Sequence, residues 1–289
     1  MFYFKTLYIL MNNNQNYTSF AINNDNSSFL ETNNIFAKFA FLLVLLFLFI
    51  LLFRVGMMIV TWLFQPSSSP HLIDGIVDAS LTKTIPQDPN VVNSRTIYRS
   101  VNERQGIEFT WSVWIYIKEI NYDREKYSTI FYKGNNDLNS TGLNFPNNAP
   151  GLYLEPKTNN LLVIMNTFTV INEEISIPNI PLNKWINIML RCQNTKLDVY
   201  VNGTITRSLE LSDVPKQNYG DVNIGSDGGF NGYISDLWYF DHSLGPGEIA
   251  NLVRKGPNMK MSDSGEDLSI NKTDFLSLRW YFYGNDLGV

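Results

Sequence analysis

The acidic residues, the two histidines and the single cysteine are the groups in this chain that could do covalent or metal chemistry. Hydrolysis between two carboxylates needs an acid and a nucleophile or base held a few ångströms apart on one face of the fold. The only acidic pair at i, i+2 spacing is Asp123/Glu125. It sits between predicted strands and beside Arg124 and Lys126, and reads as a solvated charge cluster. His71 and His242 are far apart, and neither neighbours a serine or cysteine in a nucleophile context. With Cys192 they do not make a zinc-ligand spacing. No glycine-rich turn followed by Lys and a helix offers a phosphate cradle. The residues therefore predict a chain that is not an enzyme, has no cofactor, and works by contact. One cysteine excludes an intrachain disulfide and mildly favours a reducing compartment.

Contact residues must be held by elements, and the clearest are three strands in series. Trp185 to Cys192 alternates apolar and polar residues, with Ile186, Ile188 and Leu190 on one face. Lys196 to Val201 repeats the pattern with Leu197, Val199 and Val201. Asn202-Gly203 follows, the pair that best tolerates the positive φ angles of a type I′ turn, and Thr204 to Leu209 completes an antiparallel meander. Glu108 to Ile117 alternates strictly, with Phe109, Trp111, Val113, Ile115 and Ile117 on one face and Thr110, Ser112, Trp114 and Tyr116 on the other. Shorter strands are predicted at 127–132, 151–155, 161–167, 173–177, 221–224 and 230–241, the last with a bulge near Ser235-Asp236. Ile97 to Ser100 is the predicted first strand and 275–282 the last. Gly247 to Lys255 suits a short helix stopped by Gly256-Pro257. Many short strands with Gly, Pro and Asn punctuation predict an all-β, two-sheet sandwich.

The N-terminal part has a different composition. Nine Asn fall in the 23 residues from Asn12 to Asn34, too little apolar surface to offset the entropy of ordering. Residues 1–38 are expected to be a disordered tract. Residues 39–64 are apolar apart from Arg54 and a few small residues. Those 26 residues would make a helix of about 39 Å, against a hydrocarbon core of roughly 30 Å. Phe39 and Phe53 lie in its continuous apolar run, Arg54 snorkels to the headgroups and Trp62 sits at the interface. This predicts one membrane-spanning anchor. Residues 65–107 are read as linker and first segments, and 108–289 as the β domain. Taking Lys5, Lys38 and Arg54 from the 22 basic residues and Asp25 and Glu31 from the 27 acidic ones leaves 19 against 25. That balance argues against nucleic acid as a partner.

The segment Leu197-Asp198-Val199-Tyr200-Val201-Asn202-Gly203 after Trp185, and the later Phe230-Asn231-Gly232-Tyr233-Ile234 followed by Leu244 and Glu248-Ile249, resemble two ordered motifs of the laminin-G-like jelly rolls in the concanavalin A-like lectin/glucanase superfamily. The resemblance covers roughly Glu108 to Arg254. The segments Pro66 to Pro70, Ile85 to Asn90, Glu108 to Tyr116, Gly142 to Gly151, Val214 to Asp221 and Lys255 to Met261 resemble the membrane-anchored lectin-like proteins of large DNA viruses of algae and protists. The resemblance implies a jelly roll, and Ca²⁺ in some members; Asp227 in its Gly-rich loop and Asp137 are the candidates here. It further implies a virion protein at an internal membrane, with capsid proteins as partners, a minor capsid protein linking membrane and shell. The alternative is a surface lectin for host glycans. Strand parity puts Trp114, Tyr116, Tyr200 and Trp238 opposite the core as partner or glycan contacts. The other reading is that the segments 71–105 and 134–150, or a partner, cover that face.

Overall fold

The computed structural model describes residues 35–65, 67–100 and 106–261. It divides into an N-terminal unit ending at Gln65 and a domain from Pro66 onward.

Among the described residues, the N-terminal unit is one helix, α1 (Ile35–Phe64). Its large apolar side chains are exposed on every side, from Ile35 through Leu63. Such a helix has no polar face to turn to water. It is long and apolar enough to cross a membrane. The helix begins four residues before the predicted start at Phe39, because Ile35, Phe36 and Ala37 extend the apolar run and Lys38 is tolerated within it. The rest of the predicted tract 1–38 lies outside the described residues, as does the strand predicted at 275–282.

Among the described residues, the domain is a sandwich of two six-stranded antiparallel sheets. The strands are β1 (His71–Asp78), β2 (Lys83–Ile85), β3 (Glu108–Ile117), β4 (Ser128–Gly134), β5 (Gly151–Leu154), β6 (Leu161–Met165), β7 (Glu173–Ile177), β8 (Trp185–Gln193), β9 (Lys196–Val201), β10 (Thr204–Glu210), β11 (Asp221–Ile224) and β12 (Gly232–Phe240). The first sheet runs β1-β12-β3-β8-β9-β10 and the second β2-β11-β4-β5-β6-β7. The two inner faces make the main core, and the alternating residues of β3, β8 and β9 predicted to face inward lie in it, except Val201, which is half-buried against it. Asn202 and Gly203 take φ of 51° and 80°, the type I′ geometry the pair predicts. The predicted bulge appears as a register shift between Ser235 and Trp238, with Asp236 at φ 48°.

The domain opens earlier than 108. β1 is an edge strand of the first sheet and β2 of the second, while Ile97 to Ser100 is not a strand. β1 is hard to read because two register shifts against β12 and Gly75 at φ 92° break its alternation.

Each outer face carries its own smaller core. A short helix, α2 (Pro246–Lys255), lays Ile249 and Val253 on the first sheet. The spacing i, i+4 puts both on one helical face. Pro246 sits in the first turn, Glu248 Oε2 accepts the Gly245 N–H at 2.8 Å, and Arg254 and Lys255 lie in the last turn. These features suit the termini and the helix dipole. On the second sheet the 134–150 loop folds down over Tyr132, Tyr153, Leu162 and Ile164 with Leu143. Asn144 and Asn148 are buried there; Asn148 Oδ1 accepts from Tyr153 Oη at 2.6 Å and its Nδ2 donates to the Asn144 carbonyl at 2.7 Å. Buried amides need such partners.

Candidate binding cleft

The helix α2 decides the fate of the predicted aromatic platform. Trp114, Tyr116 and Tyr200 are only 3%, 3% and 8% exposed, packed with Trp185, Met189, Ile249 and Val253. Parity correctly turned them away from the main core, but they are buried by their own chain and present no ring to a glycan. Among the described residues, the cover is α2 with Leu244, Met259 and Met261; of the 71–105 segment, Ile76 joins the cluster from β1. Trp238 is half-buried; it stacks on His71 with ring centroids 3.8 Å apart and lies 5.9 Å from Phe240. Of the four predicted contact residues it alone retains some open surface.

The calcium candidates do not come together as a ligand set. Asp227 lies 3.3 Å from Arg124 Nη2 and 3.8 Å from Lys126 Nζ, so two cations already hold its carboxylate. Asp137 is exposed and makes its described bonds through its backbone, to Asn144 Oδ1 and to the Phe145 N–H. Among the described residues, the group of three metal-type ligands within reach of one another is His71, Asp74 and Asp236. His71 Nε2 stands 3.0 Å from Asp236 Oδ1, whose other oxygen accepts the Asn258 N–H at 2.7 Å. These bonds brace the β12 bulge. Cys192 is buried, and burial pushes its thiol up to about 12, which keeps it protonated and unreactive.

The open concavity lies at one end of the sandwich. Four segments build it: the turn after β1, the β3–β4 connection, the turn after β5, and the glycine-rich approach to β12. They border an open concavity of about 630 Å³, lined by Asp78, Lys118, Tyr122, Arg124, Asn231 and neighbouring residues. Antiparallel pairing puts these segments side by side, since Asp78 pairs with Tyr233 and Gly232 with Ile117. Crossed polar contacts hold the walls. Arg124 Nη2 donates to the Asp227 carbonyl at 2.8 Å, Asn231 Nδ2 to Glu119 Oε1 at 2.6 Å, and Lys118 Nζ to Tyr233 Oη at 3.0 Å. Lys157 pairs with Glu125 and holds that carboxyl below the usual carboxylate range. Asp78 Oδ1 accepts from the Ser80 N–H and hydroxyl at 2.8 and 2.7 Å. Tyr122 stands 67% exposed at the rim.

This arrangement offers carboxylates, amides, ammonium groups and backbone around one free ring. It suits hydroxyl-rich or peptide ligands, which need orienting hydrogen bonds as well as a stacking surface. Of the acidic pair, Asp123 lines this wall, its N–H bonded to Asn121 Oδ1 at 3.0 Å, while Glu125 is engaged by Lys157. The sequence reads Asp123 to Lys126 as a solvated charge cluster and does not single out Asp78, Lys118, Tyr122 or Asn231 for a site. The usable signal was Asn121-Tyr122-Asp123, an exposed ring between turn-forming residues.

Fold and matched sequence agree on the family. Residues 93–250 match the concanavalin A-like lectin/glucanases superfamily. That is more than half of the chain, and the chain belongs to this superfamily. Solved structures similar to it include the receptor-binding domain of botulinum neurotoxin C/D mosaic serotype, at 15% identity and TM-score 0.45, covering 62% of this chain and 42% of that one. The botulinum neurotoxin serotype G binding domain is 14% identical with TM-score 0.43, over 64% and 45% of the two chains. The serotype D ligand-binding domain in complex with N-acetylneuraminic acid is 14% identical with TM-score 0.44, over 65% and 42%. The chain thus spans less than half the length of these three. No curated protein sequence matches it.

Proposed function

We propose that the chain is a single-pass, membrane-anchored, non-catalytic binding protein whose sandwich domain takes a glycan into the polar cleft. The cleft carries this reading: it joins the exposed Tyr122 ring to Asp78, Asn121 and Asn231 in one open concavity. Membership of a lectin-containing superfamily supports it, and the length and all-round apolar surface of α1 support the anchor. The test is a glycan array probed with the full chain in detergent micelles, with the bound sugars then assayed for turnover. Specific binding without hydrolysis is expected. Failure to bind any glycan, or turnover abolished by Asp123→Asn, contradicts the reading.

A second reading follows from the segments that resemble the lectin-like proteins of large DNA viruses. In it the chain is a minor capsid protein, and the domain links an internal membrane to the capsid shell. The short connection between α1 and β1 favours it, since six residues reach at most about 20 Å. Cross-linking in intact particles tests it: capsid-protein neighbours at the cleft support this reading, and their absence removes it.

A further inference from the structure

The end of the domain opposite the cleft carries a set of apolar loop tips, and we propose that it docks into the lipid bilayer that holds the anchor. The inference rests on the anchored reading above.

Strand register places these loops together. The end of β2 pairs with the start of β11 through Ile85 and Val222, and the end of β4 pairs with that start through Gly134 and Asp221. The end of β4 also meets the start of β5 through Tyr132 and Gly151, and the end of β6 meets the start of β7 through Met165 and Glu173. The connections after β2, β4 and β6, and the one before β11, therefore share one end of the sandwich. They are stapled to one another. Gln87 N donates to Asp221 Oδ1 at 2.9 Å, Asn148 N to Asn166 Oδ1 at 2.9 Å, and Lys216 N to the Asn166 carbonyl at 2.7 Å.

On this rigid base stand exposed large apolar residues: Val92 at 82%, Phe145 at 45%, Phe168 at 66%, Ile171 at 52% and Tyr219 at 81%. The cleft end shows Leu81 and Tyr122 as its exposed large apolar residues among those described. Grouping at one end marks a contact surface, where scattered exposed residues would not.

The place where the chain enters the domain identifies the occupant. Pro70, the last linker residue, accepts the Tyr239 N–H at 3.3 Å, and Tyr239 Oη donates to the Tyr98 carbonyl at 2.9 Å. Tyr98 belongs to the same connection as Val92. The tether thus enters at the apolar end, six residues after a helix of membrane-spanning length. A tether of at most about 20 Å keeps that end within reach of the headgroups. Aliphatic tips with an aromatic rim are the composition that settles at a bilayer interface. The cleft is then held away from the membrane, open to ligand.

The test uses the full chain in phosphatidylcholine vesicles, with a fluorophore on Thr169→Cys, on Asn90→Cys or, at the cleft end, on Asp123→Cys; Cys192 is buried and stays unlabelled. Labels at 169 and 90 are expected to be quenched by brominated lipid and shielded from aqueous iodide, and the label at 123 the reverse. The double variant Phe168→Ser/Ile171→Ser should lose the lipid quenching at 90. If 169 and 90 are as open to iodide as 123 while the chain resists carbonate extraction, docking is refuted and the anchor stands. If they are shielded from iodide but unquenched by lipid, protein covers this end and docking is again refuted. Extraction by carbonate removes the anchor, and docking with it.

Discussion

Replacing Ile249 by Ala tests whether α2 is a fixed cover or a displaceable lid. Ile249 is 3% exposed and lies with Val253 on the ring cluster of Trp114, Tyr116, Trp185 and Tyr200. The substitution removes three carbons, worth about 0.8 kcal/mol each in lost transfer energy. The unfilled space adds a cavity penalty, since aromatic neighbours held in a sheet relax little, and comparable changes cost about 2–5 kcal/mol. An expected loss of about 3 kcal/mol lowers a urea midpoint by about 1 M at a slope near 3 kcal/mol/M. The assay is urea unfolding of the full chain in detergent, followed by tryptophan fluorescence. Ile205→Ala, at a site 52% exposed, is the control and should change stability by less than about 0.5 kcal/mol. A loss below about 1 kcal/mol for Ile249→Ala, with sugar binding newly gained, would show that the rings are a platform uncovered by a moving helix, and would refute the burial argument.

Three further perturbations probe other parts of the account. Lys133 is 6% exposed, and its ammonium donates to the Asn218 and Gly220 carbonyls at 2.8 Å each. Burial lowers it from 10.5 to about 8, so between these pH values the unfolded chain binds more protons and stability rises with pH. The difference corresponds to roughly 3 kcal/mol, and wild type should gain on Lys133→Met by that order from pH 8 to 10.5 in paired denaturation curves; a flat difference contradicts it. Gly203→Ala should cost about 1 kcal/mol or more by thermal unfolding, because φ is 80° and the added carbon would lie 3.3 Å from Val253 Cγ2; an unchanged melting temperature contradicts the turn. Calcium should leave the melting temperature unchanged, since Arg124 and Lys126 hold Asp227; a rise that disappears in Asp227→Asn would reinstate the ion.

The inner faces were legible in the sequence because a strand's side chains alternate, and β3, β8 and β9 keep that period without interruption. β1 was not, because a register shift between His71 and Ile73 and another across Gly75 disrupt the pattern. The fate of the outer rings was only half legible. Alternation says that Trp114 and Tyr200 leave the core, but it cannot say what meets them. The answer is a helix more than forty residues downstream of Tyr200 and a methionine-bearing segment after it. The cleft was illegible for the same reason. Its walls come from four separate segments, and within any one of them Asp78 or Tyr122 looks like an ordinary turn residue.

The most direct test of the central claim is the affinity of the full chain for its best array glycan, measured for wild type, Tyr122→Ala and Trp238→Ala. Loss of a stacking ring at the centre of a site costs about 2 kcal/mol or more, close to thirtyfold in Kd. The account predicts that loss for Tyr122→Ala and near wild-type affinity for Trp238→Ala. Binding that survives Tyr122→Ala and is lost with Trp238→Ala would move the site to the outer face of the first sheet and contradict the cleft.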